Sequence, residues 1–287
     1  MMGMLLIFAA LATHQLEGIL VKQYGKKHSA GGMVFNAVIC LAATVYFFLS
    51  DTDGLQFPKQ ILLYGLGNSL LYATGFYTTY LAFQCGSFGF TKLFSSLGTI
   101  LIVFYGVFVL HEPATALMFV ALALLFAAVY LLCAKEQDTQ QKQKISIKWV
   151  VYMSLTVLSN ALITIVGKAK HNIFGDAYNN EFLILSLGGS AAFLLVMGWL
   201  FERNQFKPAL RYGLTYGIAA GLCNGIHNVL ILLTYNYLPI SVISPFKTGL
   251  GMVMSFLVSM VLYKETFSRR QWLGIGIGIV SIILINL

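Results

Sequence analysis

Long apolar stretches alternate with short polar ones along the chain, at roughly 3–22, 30–50, 61–83, 88–110, 114–134, 148–167, 181–201, 212–235, 241–263 and 271–287. Each is close to the ~20 residues that a helix needs to cross the hydrocarbon core of a bilayer. The stretches are apolar all round. Barrel strands would instead alternate polar and apolar residues over about 10 positions, so the pattern predicts helices. Only one connection is long and polar, KEQDTQQKQKISIK at 135–148. Its charge and glutamine content prevent burial and make it a solvated linker.

The linker divides the spans into two sets of five, and the sets are alike. FTKLFSSLGTILIVFYGVFVLHE, ending at Glu112, matches SPFKTGLGMVMSFLVSMVLYKE, ending at Glu265, at a shift of 153 residues. Gly98 then falls on Gly251, and Lys92 comes within two positions of Lys247. At the same shift YGLGNSLLYATGFYTTYLAFQCG matches GIAAGLCNGIHNVLILLTYNYLP in hydropathy and Gly/Asn placement. The first span, with Thr13, His14 and Lys22, resembles the sixth, with Ser159, Asn160 and Lys168. Because five is odd, the second copy enters the membrane from the opposite face. The predicted fold is an all-α membrane protein of ten transmembrane helices in two inverted five-helix repeats, 1–134 and 149–287. Such repeats place a polar substrate cavity near the midplane, between the halves.

Composition agrees with a lipid environment. The chain is 58% apolar and 10% charged, against about 25% charged in soluble domains. The net charge of +8 sits in loops between spans, so it acts as a topology signal rather than a nucleic-acid surface. Lys22, Lys26, Lys27, Lys135, Lys142, Lys144, Lys148, Arg203, Lys207, Arg211, Lys264, Arg269 and Arg270 collect on one face, against Lys59, Lys168 and Lys170 on the other. The positive-inside rule makes the richer face cytoplasmic and puts both termini outside. Cys40, Cys85, Cys133 and Cys223 lack CxxC spacing and read as apolar fillers. The start of the chain enters Met4–Ala12 without a basic segment, which reads as an uncleaved first helix. A bacterial plasma membrane is the simplest location.

These features resemble the drug/metabolite transporter superfamily, EamA-type. The motif of a glutamate, a short polar turn and a final span appears at HEPATALMFVALALLFAAVYLL and KETFSRRQWLGIGIGIVSIILINL. SFGFTKLFSS and SPFKTGLG further resemble the fourth and ninth helices of triose-phosphate and nucleotide-sugar translocators. In the triose-phosphate branch, lysines there bind phosphate, and that role would fall on Lys92 and Lys247. Thr248 stands where an arginine often follows the second lysine.

A charge at the centre of a membrane helix costs about 2.5–3.5 kcal/mol on insertion scales and marks a pathway or a paired site. Lys92 and Lys247 lie about 6 and 9 Å into their spans, so snorkelling to the interface competes with substrate binding. Their recurrence in both repeats favours binding. Glu17 is the acid well inside a predicted span, one turn from His14. It reads as a coupling group or as the partner of a lysine. Asn224, His227 and Asn228 form a polar stripe on the eighth span, and Asn68 and Tyr72 take the corresponding place on the third. The stripe can hydrogen-bond a polar substrate or join helices. GIGIGI in the last span is no nucleotide loop and reads as a helix-packing face. Trp149, Trp199 and Trp272 read as interfacial anchors.

The expected function is secondary transport of a small polar, anionic or carboxylate-bearing metabolite by alternating access, with a coupling proton or counter-substrate. The alternatives are export of cationic or zwitterionic compounds through Glu17 and a lipid-linked-substrate flippase. A membrane enzyme is disfavoured, because no HExxH, GxSxG, P-loop or clustered carboxylate motif is present. No cofactor or nucleic-acid partner is expected.

Overall fold

The computed structural model describes residues 2–28, 31–51, 54–95, 97–109, 116–133, 146–175, 177–234, 237, 240–264 and 267–285. Among them the chain is helical, with α1 Met2–Lys27, α2 Gly32–Leu49, α3 Lys59–Cys85, α4 Phe88–Ser95, α5 Gly98–Phe108, α6 Ala116–Cys133, α7 Ile147–Phe174, α8 Asn179–Phe201, α9 Arg203–Thr234, α10 Ile240–Tyr263 and α11 Arg269–Ile285. Among the described residues, five segments are long and apolar enough to cross a membrane: α1, α2, α7, α8 and residues Arg203–Ile231 of α9. Their outer faces are apolar, with Leu5, Phe48, Val151, Trp199 and Leu214 exposed. This suits a lipid solvent and would be a liability in water.

The fourth expected span is two helices. Leu97 N–H donates to Phe94 O at 3.1 Å and Ile100 N–H to Leu97 O at 3.0 Å. These i→i+3 bonds tighten the backbone between α4 and α5. The polar stretch expected between the seventh and eighth spans is helical, because α9 begins at Arg203. Lys168 and Lys170, expected in a loop, lie within α7. Lys170 is 2% exposed, and its ammonium donates to Asn179 Oδ1 at 2.6 Å and Gly175 O at 3.3 Å. A cation there suits the negative end of the α7 dipole. Lys22 is also buried, in α1.

The described chain forms two compact units. One comprises Leu16–Gln84 and Val151–Ile226. In it α2 packs antiparallel on α8, with Val34 against Gly198 and Thr44 against Gly188. α3 packs antiparallel on α7, where Thr78 Oγ1 lies 2.8 Å from Thr156 Oγ1 and Gly75 faces Asn160. The turn between α1 and α2 is clamped: Gln205 Oε1 accepts from Gly31 N–H at 2.9 Å and Glu202 Oε2 from Met33 N–H at 3.0 Å. Gly31 has φ 77°, and a Cβ there would meet Ala209, so glycine is needed twice over. Burial raises the Glu202 carboxyl, and bonds from Met33, Val34, Gly32 and Tyr77 oppose that rise.

Four glycines on α9, Gly213, Gly217, Gly221 and Gly225, lie one turn apart. They meet Phe35, Val38, Ile39 and Tyr46 of α2 in turn. Small residues at this spacing let two backbones approach closely.

The other unit comprises Met1–Gln15, Cys85–Val150 and His227–Leu287. Here α6 packs on α11, and α10 packs on α4 and α11. Gly89 meets Ser259 and Phe256, and the Phe88 ring stacks on Tyr263 at 5.5 Å. The start of α1 lies along α10, where Ile7 and Leu11 pack on Leu250 and Met254. Trp149 corrects the expectation of an interfacial anchor. It is 3% exposed, faces Gly86 and donates from Nε1 to Thr91 Oγ1 at 3.2 Å. Trp199 and Trp272 are exposed as expected. The glycines of GIGIGI do not share one face, because residues two apart on a helix point about 200° apart. Gly274 and Gly278 are buried, and Gly276 is exposed.

Candidate functional site

The unit that contains α4 and α10 gathers three nitrogen bases. Lys92, half-buried on α4, has Nζ 3.2 Å from His14 Nε2 on α1. The His14 ring lies against that of His227 of α9, with centroids 4.9 Å apart and planes 32° apart. His227 Nδ1 is 2.7 Å from Ala10 O. A carbonyl oxygen only accepts, so His227 Nδ1 carries the proton of that bond. An ammonium has no lone pair, so His14 Nε2 is the acceptor for Lys92. The Lys92 ammonium also lies 5.9 Å from the Phe88 ring centroid, within cation–π range.

The cluster is held from below. Gln15 is buried next to His14 and donates from Nε2 to Gly251 O at 3.0 Å and Ser255 Oγ at 2.9 Å. Ser255 Oγ in turn donates to Gly251 O at 2.8 Å. This network fixes the rotation of α1 against α10, and so fixes where His14 points. Thr91, beside Lys92, is fixed by Trp149 and by its own bond to Ser87 O at 2.7 Å.

In the other unit Glu17 is 6% exposed and Oε1 accepts from Asn224 Nδ2 at 3.1 Å. Glu17 lies within electrostatic reach of Tyr72, Cys40 and Cys223. Tyr72 is half-buried and stacks on Phe76 at 6.0 Å. Thus Glu17, Tyr72 and Asn224, read separately in the sequence, form one neighbourhood. Asn68 is fully buried and donates to Ser186 Oγ at 3.3 Å, a bond that joins α3 to α8. Asn228 is half-buried on α9. Lys247 belongs to α10, and its side chain lies outside the described residues, as do Glu112 and Glu265.

Sequence reasoning missed Gln15 and Thr91, which position the cluster. It also missed the α9 glycine seam, which holds the helix that carries Asn224. The four-residue spacing of those glycines was the available signal. Gln15 offered one too, as a polar residue between two others inside an apolar run.

Residues 147–287 match the model of the EamA-like transporter family. That match, together with membrane-length helices, supports a transmembrane transporter of the drug/metabolite type. No match was found among curated proteins. Among solved structures, one described as "Crystal structure of protein" is similar in fold, with a TM-score of 0.59 and 15% identity, over 98% of this chain and 94% of that one.

Proposed function

We propose that the chain is a secondary active transporter that moves a small polar, anionic or carboxylate-bearing metabolite by alternating access. The observation that carries this reading is the grouping of Lys92, on the short helix α4, with His14 and His227 on the membrane-length helices α1 and α9. A carboxylate or phosphate oxygen accepts from the Lys92 ammonium in charge-assisted hydrogen bonds, stronger than neutral ones. A proton added to His14 without an anion would put two cations 3.2 Å apart, an arrangement that a low-dielectric site opposes. An arriving anion offsets that repulsion, so substrate and proton enter together. The resemblance of the fourth and ninth segments to the translocator branch supports the same substrate class.

Helix pairing supports the inverted repeat. Corresponding helices meet: α2 on α8, α4 on α10 and α6 on α11. Two further contacts are exchanged, α1 with α9 and α7 with α3. A two-fold relation produces this pattern, and the antiparallel packing of α2 on α8 is that of an inverted one. The loop cations favour a cytoplasmic linker. A cysteine at Gln140 is then unreactive to impermeant maleimide in intact cells, and rapid outside labelling reverses the orientation.

The test is binding of a panel of carboxylates and phosphates, read as the rise in melting temperature of purified protein. Lys92→Gln keeps length and removes charge. It weakens binding by about 1.5–3 kcal/mol, the scale of a hydrogen bond to a charged group. Wild-type binding and transport in both Lys92→Gln and Lys247→Gln sink the proposal. A purely cationic substrate also sinks it and shifts the reading to Glu17, whose bond to Asn224 supports that alternative.

A further inference from the structure

We infer that the groove between α6 and α11 is a binding site for an anionic phospholipid, with one acyl chain along Gly276 and the phosphate at Arg269. The groove has a volume of about 640 Å³ and is lined by Leu124, Trp272, Gly276, Ile277 and Val280, with Arg269 at one end. The α11 residues recur at three and four positions, so they form one face of that helix. Gly276 makes the groove: a Cβ built there meets nothing within 4 Å. From Arg269 to Val280 the helix rises about 16 Å, about half of the ~30 Å hydrocarbon core. The groove therefore suits one chain of one leaflet, with its headgroup at the Arg269 end.

The charge at that end selects the occupant. Arg269 is exposed and offers a planar fork of donors that matches phosphate oxygens. Ser268 and Gln271 already cap α11 reciprocally, through Ser268 N–H to Gln271 Oε1 at 2.9 Å and Gln271 N–H to Ser268 Oγ at 3.3 Å. This capping box fixes the first turn, from which Arg269 projects. Trp272, half-exposed one turn deeper, sits where an indole meets the headgroup boundary. An apolar face of a second copy would fill the groove but leave the guanidinium without a counter-charge.

Trp272 reports occupancy directly. The full chain with Trp199→Phe is reconstituted in phosphatidylcholine vesicles that contain a small fraction of chain-brominated phosphatidylglycerol or chain-brominated phosphatidylcholine. Trp149 is buried and contributes a constant background. The expected result is about fivefold preferential quenching by the anionic lipid, equivalent to about 1 kcal/mol for one basic residue at an anionic surface. Arg269→Gln removes the preference and Arg269→Lys restores part of it. Gly276→Leu, which fills the groove, lowers quenching by both lipids at unchanged melting temperature. Equal quenching by the two lipids in the parent protein means an ordinary lipid annulus and overturns the inference. Weak quenching by both, with disulfide-linked dimers from a cysteine at Val280, assigns the groove to a second copy and also overturns it.

Discussion

Gly221→Ala adds one methyl group to the seam between α9 and α2. Its Cβ would overlap Ile39 O and stand 2.6 Å from Ala42 Cβ and 3.2 Å from Ala43 N. Carbon contacts are optimal near ~3.5–4.0 Å, so α9 must retreat by about 1 Å. The opposing atoms are chiefly helix backbone, which cannot rotate aside as a side chain can. Overpacking of this kind costs about 1–3 kcal/mol. The better helix propensity of alanine returns up to about 1 kcal/mol. The expected net loss is about 1–2 kcal/mol, a fall in melting temperature of about 2–8 °C. Gly67→Ala on α3 is the control, because a Cβ there meets nothing within 4 Å. It keeps only the propensity gain, and its melting temperature holds or rises by about 2–4 °C. The assay is thermal unfolding in detergent in a Cys85→Ser, Cys133→Ser, Cys223→Ser background, followed by a thiol-reactive fluorophore that detects exposure of buried Cys40. If both variants melt alike, or if Gly221→Ala melts with the parent, the close-approach argument is wrong.

Two further outcomes follow from clamps at helix ends. The folded Glu202 carboxyl is raised above its ordinary value of 4.5, first by burial, so its contribution is full below that value and fades as pH rises through the raised one. The melting-temperature difference between parent and Glu202→Gln should therefore move against the parent over that window, and a flat difference across it removes Glu202 as the source. Trp149→Phe loses the bond to Thr91 and contact with Gly86, so stability falls by about 1–3 kcal/mol in the same melting assay. Thr91→Val removes the indole's acceptor together with the Thr91 bond to Ser87 O; an unchanged melting temperature in both variants shows that the indole contributes no more than a ring.

Much of the fold was legible because lipid leaves the chain few choices. Apolar length alone located the membrane-length helices α1, α2, α7, α8 and α9, while the expected linker at 135–148 lies almost wholly outside the described residues. What length could not show was where a helix stops inside a polar stretch. Residues 203–211 carry three cations yet continue α9, since a charged helix end can stand in water as well as a loop can. The break between α4 and α5 was hidden for a related reason: the more polar SSLGT is too short to interrupt an apolar run that is otherwise long enough to span. Trp149 was misread because a tryptophan near a span end suits both the interface and a glycine pocket, and only Gly86 across the gap decides. Among site residues, Glu17 and Asn224 were each visible as polar islands. Their pairing was not, because they are 207 positions apart in sequence. His14 and Lys92 were singled out separately, and only the packing of α1 beside α4 brings them together.

The bond from Gln15 to Ser255 joins residues 240 positions apart. In a growing chain that separation is a delay. At about 5–20 residues per second, α1 is made roughly 12–48 s before the helix that satisfies Gln15. Through that interval an amide, an imidazole and a carboxyl, on three residues within four positions, face a bilayer without their final partners. An unsatisfied polar group in hydrocarbon is costly, so the nascent α1 should remain beside the insertion machinery, or at the water boundary, until α9 and α10 arrive. Membrane insertion of this chain is then a late, collective event, and truncation before α10 should strand α1 as a substrate for quality-control proteolysis.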